Sequence, residues 1–187
     1  MKFILGSSSP MRREVLQSMG YDFTILPPDI DEKAIRRDNP RDLVQAIAQA
    51  KMDAVLEMLS EEAIVITSDM VMVVDGMVRE KPISKEQAYE FIADYTVKPQ
   101  IATSATVVCN SVNGKRVCVV DEVTVTFDHI PEENIREFVE SGEALRFAGG
   151  LVAEHPLFKP YIQVAGEWES LLGLPKTKVK EMIKSVS

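Results

Sequence analysis

The stretch KFILGSSSPMRREVLQSMG (residues 2–20) reads as strand, turn and helix in that order. Lys2 to Leu5 is a short apolar run of the kind that forms a buried strand. Ser9 followed by Pro10 marks a helix start. A serine side chain caps free backbone N–H groups, and proline's fixed φ suits the first helical position. Met11, Val15, Leu16 and Met19 then share one helical face, and Gly20 stops the helix. A strand feeding directly into a helix is the opening of an α/β chain.

Working outward, the same signals recur. Tyr21, Phe23 and Ile25 alternate as a second strand, closed by Pro27-Pro28 and followed by the acidic loop DIDE (29–32). Asn39-Pro40 repeats the cap-plus-proline start, and the helix runs to about Leu59 with Leu43, Ile47, Ala54 and Met58 on one stripe. Ala63 to Val74 is β-rich but interrupted at Thr67-Ser68-Asp69, and Asp75-Gly76 is a hairpin signal. Ser84 with Gln87 is a capping box for a helix ending near Tyr95. Strands follow at Ile101–Cys109 and Val117–Phe127, joined by Asn113-Gly114. A helix from Pro131 carries Ile135, Phe138 and Val139 and closes at Gly142. FAGG (147–150) is a loop, Tyr161 to Val164 a strand, and Lys176 to about Ser185 a final helix. Crossovers imply parallel neighbours and the two hairpins antiparallel ones, so an α/β fold with a mixed sheet is expected.

A chain of 187 residues suits one domain, residues 1–187, or one domain with a modest lobe, and 45% apolar residues suffice for a core. A net charge of -8 argues against a nucleic-acid binder, which needs a basic face. Phe3-Ile4-Leu5 is too short for a signal peptide, and no run reaches transmembrane length. Cys109 and Cys118 show no metal-ligand spacing, so free thiols in a reducing, cytoplasmic compartment are expected. The expected chain is soluble, with no membrane or nucleic-acid partner.

Against that acidic background, local cations stand out. In GSSSPMRR (6–13), free N–H groups at a helix start, three serines, Arg12 and Arg13 could together hold a phosphate. Equally, Ser9 could simply cap the helix with both arginines in solvent. Neither a Walker loop nor a GxGxxG fingerprint is present. Lys51 falls on an apolar helix stripe, where it is either paired or snorkelling. Asp69 stands inside an apolar strand run, which costs energy unless it is paired, binds a metal or marks a break at a site. Asp29, Asp31 and Glu32 are either a solvated loop or ligands for a divalent cation. Arg79 and Lys81 lie two apart in REKP (79–82), held extended by Pro82. Together these residues form an inventory for metal-assisted hydrolysis of a phosphate anhydride: Arg12, Arg13, Lys51 and Lys81 for the polyphosphate, Glu32 and Asp69 for a divalent metal or water. His129 and His155 lie in poor contexts for a serine–histidine triad.

The motifs SSSPMRREVL, DIDE, AQAKMDAV, ITSDMVMVVDGMVREKP, VTVTFDHIPEENIREFVESGEALRFAGG and GLPK run in this order from residue 3 to about residue 180. In order and spacing the chain resembles the Maf-like nucleoside triphosphate pyrophosphatases. AGGLVAEHPL (148–157) is similar to their eukaryotic-type branch. The resemblance implies a Maf/ITPase-like α/β fold with an elongated, twisted mixed sheet, flanking helices and a central cleft, assembled as a homodimer. It implies a housecleaning activity that hydrolyses a nucleoside triphosphate to the monophosphate and pyrophosphate with a divalent metal cation, magnesium or manganese. It assigns Ser8, Arg12, Arg13 and Lys51 to substrate binding. It assigns Asp69, Lys81 and Glu32 to catalysis, with Glu32 and Asp69 at the metal. Met11, Met70 and Glu154 stand where the family carries arginine, threonine and glutamine, positions that separate dTTP/UTP-type from 7-methylguanosine-type enzymes. RFAG (146–149) replaces the family's DKAG. A non-catalytic nucleotide sensor on the same scaffold is the alternative.

Overall fold

The computed structural model describes all residues, 1–187. The chain begins with β1 (Lys2–Leu5), α1 (Pro10–Ser18), β2 (Phe23–Ile25), α2 (Pro40–Met58), β3 (Ala63–Val74) and β4 (Met77–Arg79). It continues with α3 (Lys85–Tyr95), β5 (Gln100–Asn110), β6 (Arg116–Phe127) and α4 (Glu132–Ser141). β7 (Ile162–Ala165), α5 (Trp168–Leu171) and α6 (Lys176–Val186) complete it. The seven strands form one mixed sheet in the order β2-β1-β3-β5-β6-β7, with β4 paired to β3. β1 lies parallel to both β2 and β3, while β4 on β3 and β7 on β6 are antiparallel. The α/β class and the mixed sheet expected from the sequence are therefore both present.

Contacts divide the chain into two compact units. The first holds Met1–Met70, Thr103–Glu122 and Glu167–Ser187. The second holds Val71–Ala102 and Val123–Gly166. In the first unit, Leu5, Leu16, Ile66, Val108, Leu174 and Met182 belong to one buried cluster. Each such side chain contributes about 1.5–3 kcal/mol by leaving water. In the second unit, Phe138 and Phe158 meet edge-on at 4.9 Å. The buried Tyr95 hydroxyl donates to the Gly149 carbonyl at 2.6 Å. Burial pushes the Tyr95 phenol well above its usual range, so it stays a donor.

The caps behave as their chemistry demands. Ser9, Asn39 and Ser84 each accept a backbone N–H of the helix they open. Gln87 reaches back to the N–H of Ile83, one residue before the cap, so the predicted box is shifted by one. Asp75 and Gly76 both have positive φ, 51° and 75°, as a tight hairpin of this twist requires.

Two local expectations are corrected. β3 is continuous from Ala63 to Val74, so Asp69 does not break it. The buried face of α2 is centred on Val44, Ala48, Met52 and Val55, one row round from the predicted stripe. Ala54 is half-buried, and Met58, the last residue of the helix, is exposed. Both rows satisfy a 3.6-residue period, so only packing chooses between them. Helix α5 and the 3₁₀ turns at Glu32–Ala34 and Glu143–Arg146 had no periodic signal because they are too short to show one.

At the end of β1, Gly6 donates its N–H to the Ile66 carbonyl at 2.8 Å. A Cβ there would stand 2.7 Å from Thr67 Cγ2 and 2.8 Å from Val55 Cγ2. Gly6→Ala is expected to lower unfolding stability by about 1–3 kcal/mol through overpacking, read as a lower urea midpoint. Tyr95→Phe, which strips the Gly149 carbonyl of its donor, is expected to cost about 1–3 kcal/mol in the same measurement.

Candidate functional site

The site is built in the first unit, where the turn after β1, helix α2 and strand β3 converge. The turn begins at Gly6, held against β3 by its bond to Ile66. Ser7 is buried, and its Oγ accepts the Ser9 N–H at 3.1 Å and Arg12 Nη1 at 3.4 Å. Ser8 and Arg13 are exposed on the same turn and helix. A nine-residue helix with Pro10 in its first turn and no acidic residue there leaves its positive end unneutralised.

Helix α2 is locked to β3 by Thr67, whose Oγ1 donates to the Ala48 carbonyl at 2.9 Å. One helical turn on, the buried Lys51 ammonium meets the buried Asp69 carboxylate, Nζ to Oδ1 2.7 Å. The same Nζ lies 2.9 Å from Glu32 Oε1. Glu32 sits in the 3₁₀ turn capped by Asp31, and its side chain is half exposed. Lys51 therefore does not snorkel, and DIDE is not merely a solvated loop.

Arg12 joins this cluster from α1. Its Nη1 donates to the Ser68 carbonyl at 2.8 Å, and its Nε is sealed from solvent with no hydrogen-bond partner. Burial pulls the guanidinium's pKa down, and the nearby carboxylates of Asp69 and Glu32 oppose that pull. Two cations and two carboxylates thus balance in one place. Pairing of this kind is what permits charge in a buried strand at all.

The structure thus brings together Arg12, Lys51, Asp69 and Glu32, with Ser8 and Arg13 exposed at the same turn. Met11 is partly buried against the first unit's core, and Met70 follows Asp69 half-buried on β3. Lys81 and Glu154 belong to the second unit: Lys81 is exposed just after β4, and Glu154 is half-buried after the FAGG loop. Sequence reasoning missed Ser7, which contacts Arg12 where Ser8 does not, along with Thr67 and Ser68. For Thr67 and Ser68 the available signal was a polar run inside an apolar strand, since buried polar side chains need hydrogen-bond partners.

No group of three or more His, Cys, Asp or Glu side chains gathers as a self-contained metal cage. Glu32 and Asp69, each paired with the Lys51 ammonium, offer two hard carboxylate oxygen donors. That pair fits a magnesium-type ion, which is commonly held by one or two carboxylates with substrate phosphates completing the shell.

A family model described as Maf-like protein matches residues 2–186. The chain belongs to the Maf-like family. This Maf-like protein is 41% identical over 191 residues to a 7-methyl-GTP pyrophosphatase of Dictyostelium discoideum, covering 98% of this chain and 96% of that one. It is 33% identical over 184 residues to a dTTP/UTP pyrophosphatase of Moorella thermoacetica, covering 97% and 93%. A dTTP/UTP pyrophosphatase of Vibrio vulnificus is 30% identical over 183 residues, covering 97% of each chain. Among solved structures, a nucleoside-triphosphatase (dITP/XTP pyrophosphatase) of Mycobacterium abscessus aligns over 70% of this chain and 76% of its own at a TM-score of 0.41 and 15% identity.

Removing one partner of the Lys51–Asp69 pair strands the other charge. Lys51→Ala is expected to cost on the order of 3 kcal/mol of unfolding stability. Lys51→Met with Asp69→Leu is expected to recover most of it, both read by urea denaturation.

Proposed function

We propose that this Maf-like protein hydrolyses a nucleoside triphosphate to the monophosphate and pyrophosphate. The observation that carries the reading is the Lys51 ammonium held between Asp69 and Glu32, beside a helix N-terminus bearing Ser8 and Arg13. A cation, two carboxylates and free N–H donors in one place suit a charged phosphate chain and a water to attack it. Full-length similarity to relatives named as nucleotide pyrophosphatases supports it.

In this reading the triphosphate lies on the turn at Ser7–Arg13, where Ser8, Arg13 and the helix N-terminus take up its negative charge. Lys51 neutralises a phosphate oxygen while staying paired with the Asp69 carboxylate. Asp69 takes the proton from a water as that water's oxygen bonds to the α-phosphorus. The bond from the α-phosphorus to the bridging oxygen breaks, and pyrophosphate leaves with that oxygen. On the resemblance alone, Lys81 is assigned to the phosphates too. Glu32 and Asp69 would hold magnesium or manganese, whose chemistry when bound is neutralisation of charge on the phosphate oxygens.

For the base, 41% identity to a 7-methyl-GTP enzyme against 30% and 33% to dTTP/UTP enzymes favours a modified purine over a pyrimidine. Met11, Met70 and Glu154 are the proposed base-reading positions. The homodimer rests on the resemblance, and the cytoplasmic location on the reading of Cys109 and Cys118 as free thiols. No helix is long and apolar enough to cross a membrane.

A panel of 7-methyl-GTP, GTP, dTTP and UTP with magnesium, read by pyrophosphate release, tests the activity and the base together. 7-Methyl-GTP is expected to turn over fastest. Binding without release of pyrophosphate would instead favour a nucleotide sensor. Asp69→Asn is expected to lose about a hundredfold or more in kcat with nucleotide affinity retained; unchanged turnover would remove Asp69 from the reaction.

A further inference from the structure

Gly173 occupies the turn between α5 and α6 with φ of 83°. The turn is rigid. Gly173 N donates to the Ser170 carbonyl at 3.0 Å, Leu174 N donates to the Glu169 carbonyl at 3.2 Å, and Leu174 is wholly buried. Beyond it, Lys178 of α6 pairs with the buried Asp121 of β6.

This turn presses on two residues beside Asp69. Ser68 Oγ donates to the Gly173 carbonyl at 2.7 Å. The Arg12 guanidinium lies against the Gly173 α-carbon so closely that a Cβ would stand 2.9 Å from Nε and 3.2 Å from Nη2. From its other side the same guanidinium donates to the Ser68 carbonyl. That carbonyl belongs to the peptide linking Ser68 to Asp69. A guanidinium with Nε buried and unpartnered is costly; its Nη1 bond to the Ser68 carbonyl and the nearby Asp69 and Glu32 carboxylates offset that cost.

We propose that Gly173 is a positioning residue for Asp69: its bare α-carbon seats Arg12, and Arg12 holds the Ser68–Asp69 peptide so that the carboxylate faces Lys51. The inference rests on the reading of Asp69 as proton acceptor. It gives Arg12 a role through the backbone of β3 rather than on the phosphates. A methyl at Gly173 would push the guanidinium off the Ser68 carbonyl. Errors of this size at a reacting group cost rate far more than affinity.

The test is steady-state hydrolysis of 7-methyl-GTP and dTTP by the full chain and by Gly173→Ala, Arg12→Ala and their combination, with a thermal melt for each. Gly173→Ala is expected to lose about tenfold in kcat with KM within about twofold. Arg12→Ala is expected to lose at least as much, with KM again held. The double variant is expected to be no slower than Arg12→Ala alone, because the methyl then has no guanidinium to displace. The strain of alanine at positive φ would lower the melting temperature in both backgrounds without entering kcat. Wild-type kcat in Gly173→Ala, losses that multiply in the double variant, or a raised KM with kcat intact in Arg12→Ala each overturn the proposal. Should Gly173→Ala not fold, Ser68→Ala cuts the turn's other tie, and unchanged kcat there overturns it as well. A crystal structure of Gly173→Ala reads the same contact without activity: Arg12 Nη1 still bonded to the Ser68 carbonyl sinks the idea. Full activity in Asp69→Asn, by contrast, defeats the reading of Asp69 and not the brace.

Discussion

The Lys51 ammonium, 2.7 Å from Asp69 and buried with it, is the constraint on which the rest of the first unit is arranged. Taking two charges out of water is expensive, and their attraction compensates only with good geometry and further partners. The surroundings supply both. Glu32 adds a second carboxylate to the ammonium, and Arg12 brings a second cation near both carboxylates. Thr67 ties β3 to the backbone of α2, which fixes the register at which lysine and aspartate meet. With charge so balanced, β3 runs unbroken through a residue that would otherwise end it.

Two glycines hold the same stretch of β3 by having no side chain. Gly6 lets the end of β1 close onto Ile66 and Thr67, and Gly173 lets a C-terminal turn close onto Arg12 and Ser68. Residues from the first and last parts of the chain therefore meet at the four positions, 66 to 69, that end in the Asp69 carboxylate. A site assembled this way is pre-organised by the core rather than by a mobile loop, which suits a reaction whose rate comes from fixed electrostatics. The second unit uses related devices on its own FAGG loop. Gly149 takes a positive φ against Tyr95 and donates to the Glu80 carbonyl, next to Lys81.

Much of this was readable from residues alone. Helix starts at Ser9-Pro10, Asn39-Pro40 and Ser84 follow from local chemistry, as do the Asp75-Gly76 turn and the strand ending at Phe127. Lys51 and Asp69 announced themselves because a charge in an apolar run costs energy wherever it sits. Less legible were which row of α2 is buried, which serine of three turns inward, and how Arg12 is oriented. Each has more than one locally acceptable solution, and contacts distant in sequence choose among them.

What the sequence determined by itself was the order and type of the elements and the identity of the misplaced charges, since both depend on neighbours within a few residues. Only the tertiary structure decided that Lys51 pairs with Asp69 and Glu32 at once, that Ser7 rather than Ser8 contacts Arg12, and that Gly173, 161 positions along the chain, seats that arginine. Those outcomes depend on groups distant in sequence reaching one volume of space, and no local pattern encodes that distance.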